Sequence, residues 1–454
     1  MTAPAFKELA SSLKRKSSLI TEWANSANYL KDATEITGVS DALVMAETEQ
    51  DVIETVNFAR KNNLSIVPRG AGTGLSGGCV PDKGSIVLST EKINHLNIDR
   101  EKKVAIVGPG VITKSIQEEA ARHKLYYPPD PASYSESTIG GNVAEGAGGL
   151  RCKRFGVTKD YVLGIQGITA DGNRIQTGCY SNDSGFALTD IINASEGTLV
   201  ILTEITLRLI EPVRPGDTFL VAFDAPKDAA QTVSDIVNAG IIPNVLEFLD
   251  GDAAACSNKY EKTEGLEKAA AILLIESSNE GGQSQISQIK NFCEKNNCSF
   301  IRHESDPQKA DKLWKIRRNL SKAVKQISKI RISEDVAVPI SKFPELVDYV
   351  FFMNDTSELR INSFGHAGDG NLHVNFMSED DTPDGHELIE REIERLLNKT
   401  VELGGTLTGE HGIGLAKRKY LRLEFDGPTI QYMKTFKEIF DPAKILNPGK
   451  IFEN

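Results

Sequence analysis

The chain has 454 residues, of which 40% are hydrophobic and 25% are charged, and its formal net charge is −11. This length exceeds one ordinary hydrophobic core, so we expect a globular protein with two or three domains. The acidic balance argues against a nucleic-acid partner and against a polybasic membrane anchor, and no apolar run reaches the roughly 18 residues of a membrane span.

The N-terminal half has the pattern of an α/β domain. Residues 1–35 carry Phe6, Leu9 and Leu13 at helical spacing, which predicts an amphipathic surface helix. Thr48 is suited to cap a helix that lies between short strands at 42–46 and 65–67. Further strands are predicted at 85–89, 104–107 and 199–209. The segment 211–217 contains two prolines and a glycine, which indicates a linker.

After this linker the pattern favours an α+β domain. Strands are predicted at 218–223, 270–276 and 361–364, and helices at 225–239, 286–296 and 308–329. Beyond residue 415 the chain turns helical again, with Ile430, Met433, Phe436 and Phe440 on one face. We therefore divide the chain into four segments: an N-terminal helical segment, a first domain, a second domain and a C-terminal segment that returns to the first domain, with bounds 1–35, 36–213, 214–414 and 415–454.

Six cysteines, at 79, 152, 179, 256, 293 and 298, are scattered without a Cys-x-x-Cys pair. This spacing excludes a ferredoxin-type iron–sulfur cluster in this chain and argues against a disulfide framework. We expect reduced thiols with a packing role, in a cytoplasmic protein.

The first glycine cluster, residues 69–78, reads Arg-Gly-Ala-Gly-Thr-Gly-Leu-Ser-Gly-Gly. Gly72, Gly74 and Gly77 fit the Gly-x-Gly-x-x-Gly pattern, but a strand rather than a helix follows, so a Rossmann site is excluded. A P-loop is also excluded, because no Gly-Lys-Ser/Thr occurs. The remaining interpretations are a nest of backbone N–H groups for a diphosphate and a flexible surface turn.

Two more glycine loops follow in the same domain. Pro128–Pro131 precedes a segment with five glycines between residues 140 and 149, and Ser195-Glu196-Gly197-Thr198 leads into a strand. Prolines fix the approach of the chain, while glycines allow a planar or diphosphate group to lie against the backbone. Together the three loops predict one large, flat, phosphate-bearing cofactor.

Two short segments in the second half of the chain contain three of its seven histidines. His366 and His373 lie in a glycine-rich loop, and Gly409-Glu410-His411-Gly412 follows about forty residues later. Two imidazoles and the Glu410 carboxylate suit a divalent metal with open coordination positions, and His411 is then a candidate proton acceptor. Gly368 and Gly370 must bend the loop, since an odd spacing puts the two histidines on opposite faces of a continuous strand. Hydrogen-bonded loop histidines are the alternative.

Taken together, residues 68–78, 137–149 and 195–198, the Gly-His-x6-His segment and Gly-Glu-His-Gly resemble the FAD-linked oxidase/dehydrogenase family that shares the vanillyl-alcohol oxidase fold. Within it they are most similar to the branch that contains the FAD-binding chain of glycolate oxidase, flavin D-lactate dehydrogenase and D-2-hydroxyglutarate dehydrogenase. The similarity extends from about residue 35 to Phe452. It implies an α+β protein with a two-subdomain FAD-binding domain of this type (PCMH type), an α+β cap domain with a mainly antiparallel sheet, and a C-terminal helical segment.

The resemblance also implies the residues that hold non-covalent FAD. The first loop would cradle the diphosphate, the second would line the flavin and ribityl chain, the third would contact diphosphate or adenine-side groups, and one C-terminal residue would return to the flavin ring. These residues are Pro68, Arg69, Gly70, Ala71, Gly72, Thr73, Gly74, Gly77, Gly78, Pro131, Ser135, Gly141, Asn142, Gly146, Gly149, Gly156, Gly197, Thr198, Ile201 and Asn447.

The implied activity is oxidation of a D-2-hydroxy acid (D-lactate, glycolate or D-2-hydroxyglutarate) to the 2-oxo acid, with the hydride passing to flavin N5. His366, His373 and Glu410 match the family's ligands for a divalent ion, which zinc, manganese or iron would suit. His411 would accept the hydroxyl proton or orient Glu410, and Arg317 matches the arginine that binds the substrate carboxylate. Asn375, two residues beyond His373, is a further candidate substrate contact.

Electrons would leave to an acceptor other than NAD: a quinone, a cytochrome, an electron-transfer flavoprotein or an iron–sulfur protein. A partner of this kind would make the protein peripheral to a membrane. Two alternatives remain at this point, a non-catalytic FAD-binding subunit of a glycolate-oxidase-like complex and a metal-dependent hydrolase. The intact histidine segments argue against the first, and the phosphate-type glycine loops argue against the second. Neither the choice of hydroxy acid nor the oligomeric state can be read from the sequence.

Overall fold

A computed structural model describes residues 3–34, 36–178, 186–259, 262, 266 and 268–453. The strands are β1 (Leu19–Ile20), β2 (Ala42–Met45), β3 (Ser65–Arg69), β4 (Ser85–Ser89), β5 (Leu96–Asp99), β6 (Val104–Val107), β7 (Val162–Ile168), β8 (Arg174–Gly178), β9 (Ile201–Arg208), β10 (Thr218–Phe223), β11 (Val245–Asp250), β12 (Ala271–Glu276), β13 (Cys298–Glu304), β14 (Ile330–Ala337), β15 (Arg360–Gly365) and β16 (Asn371–Ser378). The α-helices are α1 (Ala3–Ser12), α2 (Glu49–Asn62), α3 (Thr113–Arg122), α4 (Ile139–Glu145), α5 (Cys152–Phe155), α6 (Leu188–Ile192), α7 (Pro226–Asn238), α8 (Gly251–Asn258), α9 (Gly282–Lys295), α10 (Pro307–Lys325), α11 (Phe343–Thr356), α12 (Pro383–Glu402), α13 (Leu421–Glu424) and α14 (Gly427–Phe440).

The described chain divides into two compact units. The first comprises residues 1–148, 157–212 and 410–454, and the second comprises 149–156 and 213–409. The boundary after Pro212 falls in the proline-containing linker.

The structure differs from the expected segments in two places. Residues 410–414 belong to the first unit rather than the second, because Glu196 of the first unit accepts the N–H groups of Ile413 and Gly414, both at 2.7 Å. Residues 149–156 belong to the second unit rather than the first, because Arg151 forms a two-point ion pair with Glu276 at 3.1 and 3.0 Å.

The first unit contains two sheets, as expected for two subdomains. One is four-stranded in the order β1-β2-β4-β3, with β2, β4 and β3 parallel. Helix α2 packs on it, and the hydroxyl of Thr48 accepts the Asp51 N–H while Asp51 accepts the Thr48 N–H, so the predicted cap is present. The apolar face of α1, with Phe6 and Leu9, is buried in the same core. The predicted amphipathic helix therefore contributes to folding rather than lying on the surface alone.

The other sheet of this unit is five-stranded and antiparallel, in the order β5-β6-β9-β7-β8. Its core includes Ile116 of α3 and Val143 of α4. The C-terminal segment returns to the first sheet, where Ile445 and Leu446 join the core and the Leu446 backbone bridges that of Ile66. This return places the chain end beside β3, from which the first glycine loop emerges.

The second unit is built on a seven-stranded antiparallel sheet in the order β13-β10-β12-β11-β15-β16-β14. Helices α8 and α10 cover one face, where Leu313 and Leu320 pack against Leu249 and Phe364. Helix α11 covers the opposite face, where the Phe343 and Phe248 rings meet edge-on at 5.9 Å. Most predicted strands match those observed, including 85–89, 104–107 and 218–223, while the basic helix ends at Lys325 rather than at residue 329.

The cysteines that the structure describes (Cys79, Cys152, Cys256, Cys293 and Cys298) are free thiols. Cys179 lies outside the described residues. Among the helices within the described ranges, none has the length and hydropathy required to cross a membrane.

Candidate functional site

The first glycine loop follows β3 and is packed closely against other loops of the first unit. A Cβ atom on Gly70 would lie 2.1 Å from the Thr138 hydroxyl oxygen, and one on Gly77 would lie 3.0 Å from the Leu415 Cβ. Gly77 also has φ of +77°, which disfavours side chains. The loop is therefore a closely packed element rather than a flexible surface turn.

The Arg69 side chain holds the N-terminal segment. Its Nη1 donates to the Lys31 carbonyl at 2.7 Å, and its Nη2 donates to the Asn28 carbonyl at 2.9 Å. The backbone of Arg69, rather than its guanidinium, is then the part that can contact a ligand in this loop.

The second glycine loop forms the N-terminal turn of α4. The Thr138 hydroxyl caps this helix at the Gly141 N–H, and the Asn142 amide donates to the Thr113 hydroxyl at 2.7 Å. The side chain of Asn142 therefore anchors α4 to α3. Before the helix, Pro131 is buried and Ser135 is exposed. Gly149 and Gly156 belong to the second unit, and their place beside the cofactor stays a prediction.

The third loop, Ser195–Thr198, is a tight turn between α6 and β9. Glu196 and Gly197 both have positive φ values, of 51° and 65°. The Glu196 N–H donates to the Ala144 carbonyl at 2.8 Å, and the Thr198 hydroxyl donates to the Ser195 carbonyl at 2.7 Å. A Cβ on Gly197 would lie 3.3 Å from the Pro68 ring, so the first and third loops are neighbours.

Asn447 joins the first and third loops. Its side-chain amide donates to the carbonyls of Gly78 and Glu196, both at 2.7 Å, and its backbone N–H donates to Ile66. The side-chain oxygen Oδ1 is buried without a hydrogen-bond partner in the described structure. Lys450, three residues on, has a buried ammonium that likewise has no hydrogen-bond partner among the described residues, and burial lowers its pKa. Lys450 belongs to the Asn-Pro-Gly-Lys ending, but nothing in that short pattern reveals that its ammonium is buried.

Glu196, which is buried, and Glu145, which is partly buried, flank Gly412, and no sequence pattern predicted this pairing. A Cβ on Gly412 would lie 2.8 Å from a Glu145 carboxylate oxygen and 3.0 Å from one of Glu196. Burial raises the pKa of Glu196 to about 7, although its two backbone N–H donors favour the charged form. Burial and the nearby Glu196 raise the pKa of Glu145 well above its ordinary value. The turn that carries Glu410 and His411 is thus held in the first unit by the Glu196 carboxylate, which accepts the N–H groups of Ile413 and Gly414.

In the second unit, His366 and His373 lie at the turn between β15 and β16. A short 3-10 turn, Ala367–Asp369, and Gly370 with φ of +74° provide the predicted bend. The two rings are both buried and meet edge-on, with centroids 5.4 Å apart. The bend therefore brings together side chains that a continuous strand would separate.

Glu247 on β11 is a buried residue beside His366 that no sequence motif indicated. One carboxylate oxygen lies 2.6 Å from Nδ1 of His366, and the other accepts Nε of Arg317 at 2.5 Å. Burial alone would raise the pKa of Glu247, but His366 and Arg317 outweigh this effect and hold the pKa below its ordinary value. A carboxylate on Nδ1 fixes the ring orientation and tautomer of a metal-binding histidine.

Asn375 lies on the same strand face as His373, as predicted. Its amide donates to the Asn362 side-chain oxygen at 2.9 Å, and its own oxygen accepts Nε of Arg331 at 2.8 Å. Asp335, paired in register with His373, accepts the Gly409 N–H at 2.7 Å and so anchors the end of the second unit directly before Glu410.

Comparison with protein families gives two matches. Residues 40–178 match the family described as FAD binding domain, and residues 214–451 match the family described as FAD linked oxidases, C-terminal domain. The two matches together cover most of both halves of the chain.

Curated relatives are similar over nearly their whole length. The chain is 37% identical to glycolate oxidase subunit GlcD of Bacillus subtilis, with 93% of this chain and 92% of the relative covered. It is 31% identical to D-lactate dehydrogenase of Anaerostipes hadrus, with 90% and 89% covered. It is 30% identical to D-2-hydroxyglutarate dehydrogenase of Stutzerimonas stutzeri, with both chains fully covered.

Solved structures with low sequence identity share the fold. p-Cresol methylhydroxylase with substrate bound superposes with a TM-score of 0.81 at 15% identity, covering 100% of this chain and 98% of the other. 4-Ethylphenol oxidase from Gulosibacter chungangensis gives 0.77 at 16% identity, with 100% and 98% covered. The predicted fold class is thereby confirmed.

Replacing Glu247 by alanine is expected to destabilise the protein strongly. The variant would leave Arg317 buried beside His366 without a countercharge, which costs about 3 kcal/mol or more in the free energy of unfolding. Glu280→Ala is the matched control, because Glu280 is 84% exposed in its 2.8 Å ion pair with Arg154 and should change stability by less than about 1 kcal/mol. Urea unfolding followed by circular dichroism measures both, and equal losses would contradict a special role for Glu247.

The contribution of Glu196 to the stability of the protein is expected to fall as pH rises from about 4.5 to about 7. Because the pKa of Glu196 is higher in the folded protein than in an unfolded chain, the folded state binds the proton more tightly, and its stabilisation is complete at low pH. Glu196→Gln should reduce this slope, whereas Glu22→Gln, at an exposed position, should leave it unchanged. Urea midpoints across this pH range test the prediction, and an unaltered slope in Glu196→Gln would contradict it.

Proposed function

The chain belongs to the FAD-linked oxidase family, and on this basis we propose that it is an FAD-dependent, metal-assisted dehydrogenase that oxidises a D-2-hydroxy acid to the 2-oxo acid. The resemblance inferred from the glycine and histidine motifs is confirmed by the family matches. The hydroxy-acid class of substrate is supported by the names of the relatives, which are D-lactate dehydrogenase, D-2-hydroxyglutarate dehydrogenase and a component of glycolate oxidase.

The first unit fits FAD. Three glycine loops whose backbones lie close to one another suit a diphosphate, and the buried Lys450 ammonium supplies a cation that this anion would neutralise. The buried Oδ1 of Asn447 offers an acceptor at the junction of the first and third loops. We assign FAD binding to the backbone of 68–78, to the start of α4 and to Gly197, Thr198 and Asn447.

The observation that carries the catalytic proposal is the buried His366–Glu247–Arg317 arrangement of the second unit. With Glu410, His366 and His373 would give a set of two imidazoles and one carboxylate, which suits a divalent ion. Glu247 orients His366 by its Nδ1 atom and holds Arg317 by Nε, which leaves the Nη atoms of Arg317 to donate to a substrate carboxylate. Zinc, manganese and iron all fit such a ligand set.

In this proposal the cofactors and the side chains have separate roles in the reaction. Bound FAD supplies the acceptor for the hydride from C2, and the cation supplies positive charge that lowers the pKa of the hydroxyl group. Arg317 binds the C1 carboxylate, Asn375 lies next to His373 on the same strand face and acts on the substrate through the side chains that it holds, and His411 accepts the hydroxyl proton. Loss of this proton and of the hydride leaves the 2-oxo acid. Electrons pass from the reduced protein to an acceptor other than NAD.

Anaerobic addition of a hydroxy acid tests the proposal directly. The purified protein should be yellow, and D-lactate, glycolate or D-2-hydroxyglutarate should bleach the visible absorption of its flavin. A colourless protein that does not bind added FAD would overturn the flavoenzyme assignment. A yellow protein that no hydroxy acid bleaches would instead indicate a non-catalytic FAD-binding subunit.

His373→Ala should separate flavin binding from turnover. The variant should retain its FAD content, because His373 lies in the second unit, while metal affinity and turnover fall by about 100-fold or more. His386→Ala is the matched control, since His386 is exposed on α12 beside Asp381. Metal content by elemental analysis and steady-state rates measure the effect. Unchanged metal content and activity in His373→Ala would contradict the ligand role.

A further inference from the structure

One face of the seven-stranded sheet carries a row of polar side chains. Residues directly opposite each other in antiparallel strands point to the same face. His373 is opposite Asp335, Asn375 is opposite Ser333, and Met377 is opposite Arg331. His373, Asn375 and Met377 are alternate residues of β16 and therefore share a face of the sheet. Arg331, which is opposite Met377, lies on this same face, and Asn375 lies between it and His373 along the strand direction.

Two other arginines beside this row are neutralised. Arg317 of α10 forms its ion pair with Glu247, and Arg360 of β15 forms a two-point ion pair with Asp252 at 3.1 and 2.5 Å. Arg360 is also opposite Met377, so it lies at the same level of the sheet as Arg331.

Arg331 has no such countercharge. Its Nε donates to the neutral amide oxygen of Asn375, and within the described ranges no carboxylate lies at ion-pair distance from its guanidinium. Burial lowers its pKa, with no acidic neighbour to oppose this effect. A partly buried cation without a paired anion is costly in a folded protein, so its presence indicates a bound anion.

The position of Arg331 relates this anion to the substrate. Asn375 is two residues from His373, a separation of about 7 Å along a strand. A substrate whose C1 carboxylate and hydroxyl lie at Arg317 and the histidines would extend its far end along this row. The Nη atoms of Arg331, which is held by Asn375 through Nε, suit a carboxylate in bidentate geometry.

We propose that the substrate is a 2-hydroxy acid with a second carboxylate at its far end, and that Arg331 binds this second carboxylate. The inference rests on the proposed oxidation of 2-hydroxy acids and narrows its substrate class. Glycolate and D-lactate, which lack the second carboxylate, are then poor substrates because they leave Arg331 without its anion.

The test compares acids of similar length with and without the second carboxylate. The holoenzyme is assayed with D-2-hydroxyglutarate and D-malate against D-2-hydroxyvalerate, D-2-hydroxybutyrate and D-lactate, using an artificial electron acceptor. The ratio of kcat/KM for dicarboxylate over monocarboxylate should be at least about tenfold in the wild type. Arg331→Met should reduce it about ten- to hundredfold, mainly through KM. Arg331→Lys, which keeps the charge, should restore part of the ratio.

Arg360→Met is the matched control, since it removes a guanidinium at the same level of the sheet that is already neutralised. In Arg360→Met the ratio of kcat/KM for dicarboxylate over monocarboxylate should stay at the wild-type value. Calorimetric titration of the holoenzyme with 2-oxoglutarate gives a readout independent of turnover, and its dissociation constant should rise in Arg331→Met by a similar factor. Circular dichroism and flavin content confirm folding of each variant.

Three results would overturn the inference. Equal wild-type efficiency with both kinds of acid would exclude recognition of a second carboxylate. An equal loss for both kinds in Arg331→Met would place Arg331 at the C1 carboxylate or in a structural role. Efficient oxidation of monocarboxylates alone would refute the substrate class and leave the proposed function intact. If no hydroxy acid reduces the flavin, the proposed function itself fails.

Discussion

The buried carboxylate of Glu247 is the interaction on which the polar face of the second unit depends. It lies on a central strand and receives groups from a helix and from a hairpin turn, with Arg317 on one oxygen and His366 on the other. A guanidinium buried without this partner would cost several kcal/mol, and His366 would lose the group that orients its ring. The ion pair therefore determines where α10 and the β15–β16 turn place their functional atoms.

The first unit orders its site by a different means. Its three loops contain many glycines, and ordering such segments costs more conformational entropy than ordering other residues. Backbone hydrogen bonds to fixed side chains offset this cost. Asn447 holds the carbonyls of Gly78 and Glu196, and the Glu196 carboxylate holds the turn at Ile413 and Gly414. The backbones of these loops are thereby held in place before any ligand binds, which reduces the ordering cost of binding.

Local features of both sites were predictable from the sequence. The strands at 85–89 and 104–107, the Thr48 cap, the strand–loop–strand context of the first glycine cluster and the bend between His366 and His373 all follow from short-range patterns. The residues that were not predictable act over long sequence separations. Glu247 meets His366 across 119 positions and Glu196 meets Ile413 across 217, and each lies in a stretch that has the pattern of an ordinary strand or turn. No periodicity marks such a partner, because the pairing is created by the order of strands in the sheet.

Arg317, the arginine that the sequence indicates, accounts for only part of the binding of an acidic substrate. Arg317 matches a family pattern by its position, yet its charge is already balanced by Glu247. Its remaining donors can orient a carboxylate, but its net charge contributes little to discrimination. Arg331 has the opposite character, since its bond from Nε goes to the neutral Asn375 amide. A binding site with an unpaired charged group strongly rejects ligands that cannot pair with that group. This discrimination is stronger than the discrimination by size in an apolar pocket. Selectivity among hydroxy acids is therefore expected to reside on β14, at the far end of the substrate, while the paired arginine on α10 recognises the end that all of them share.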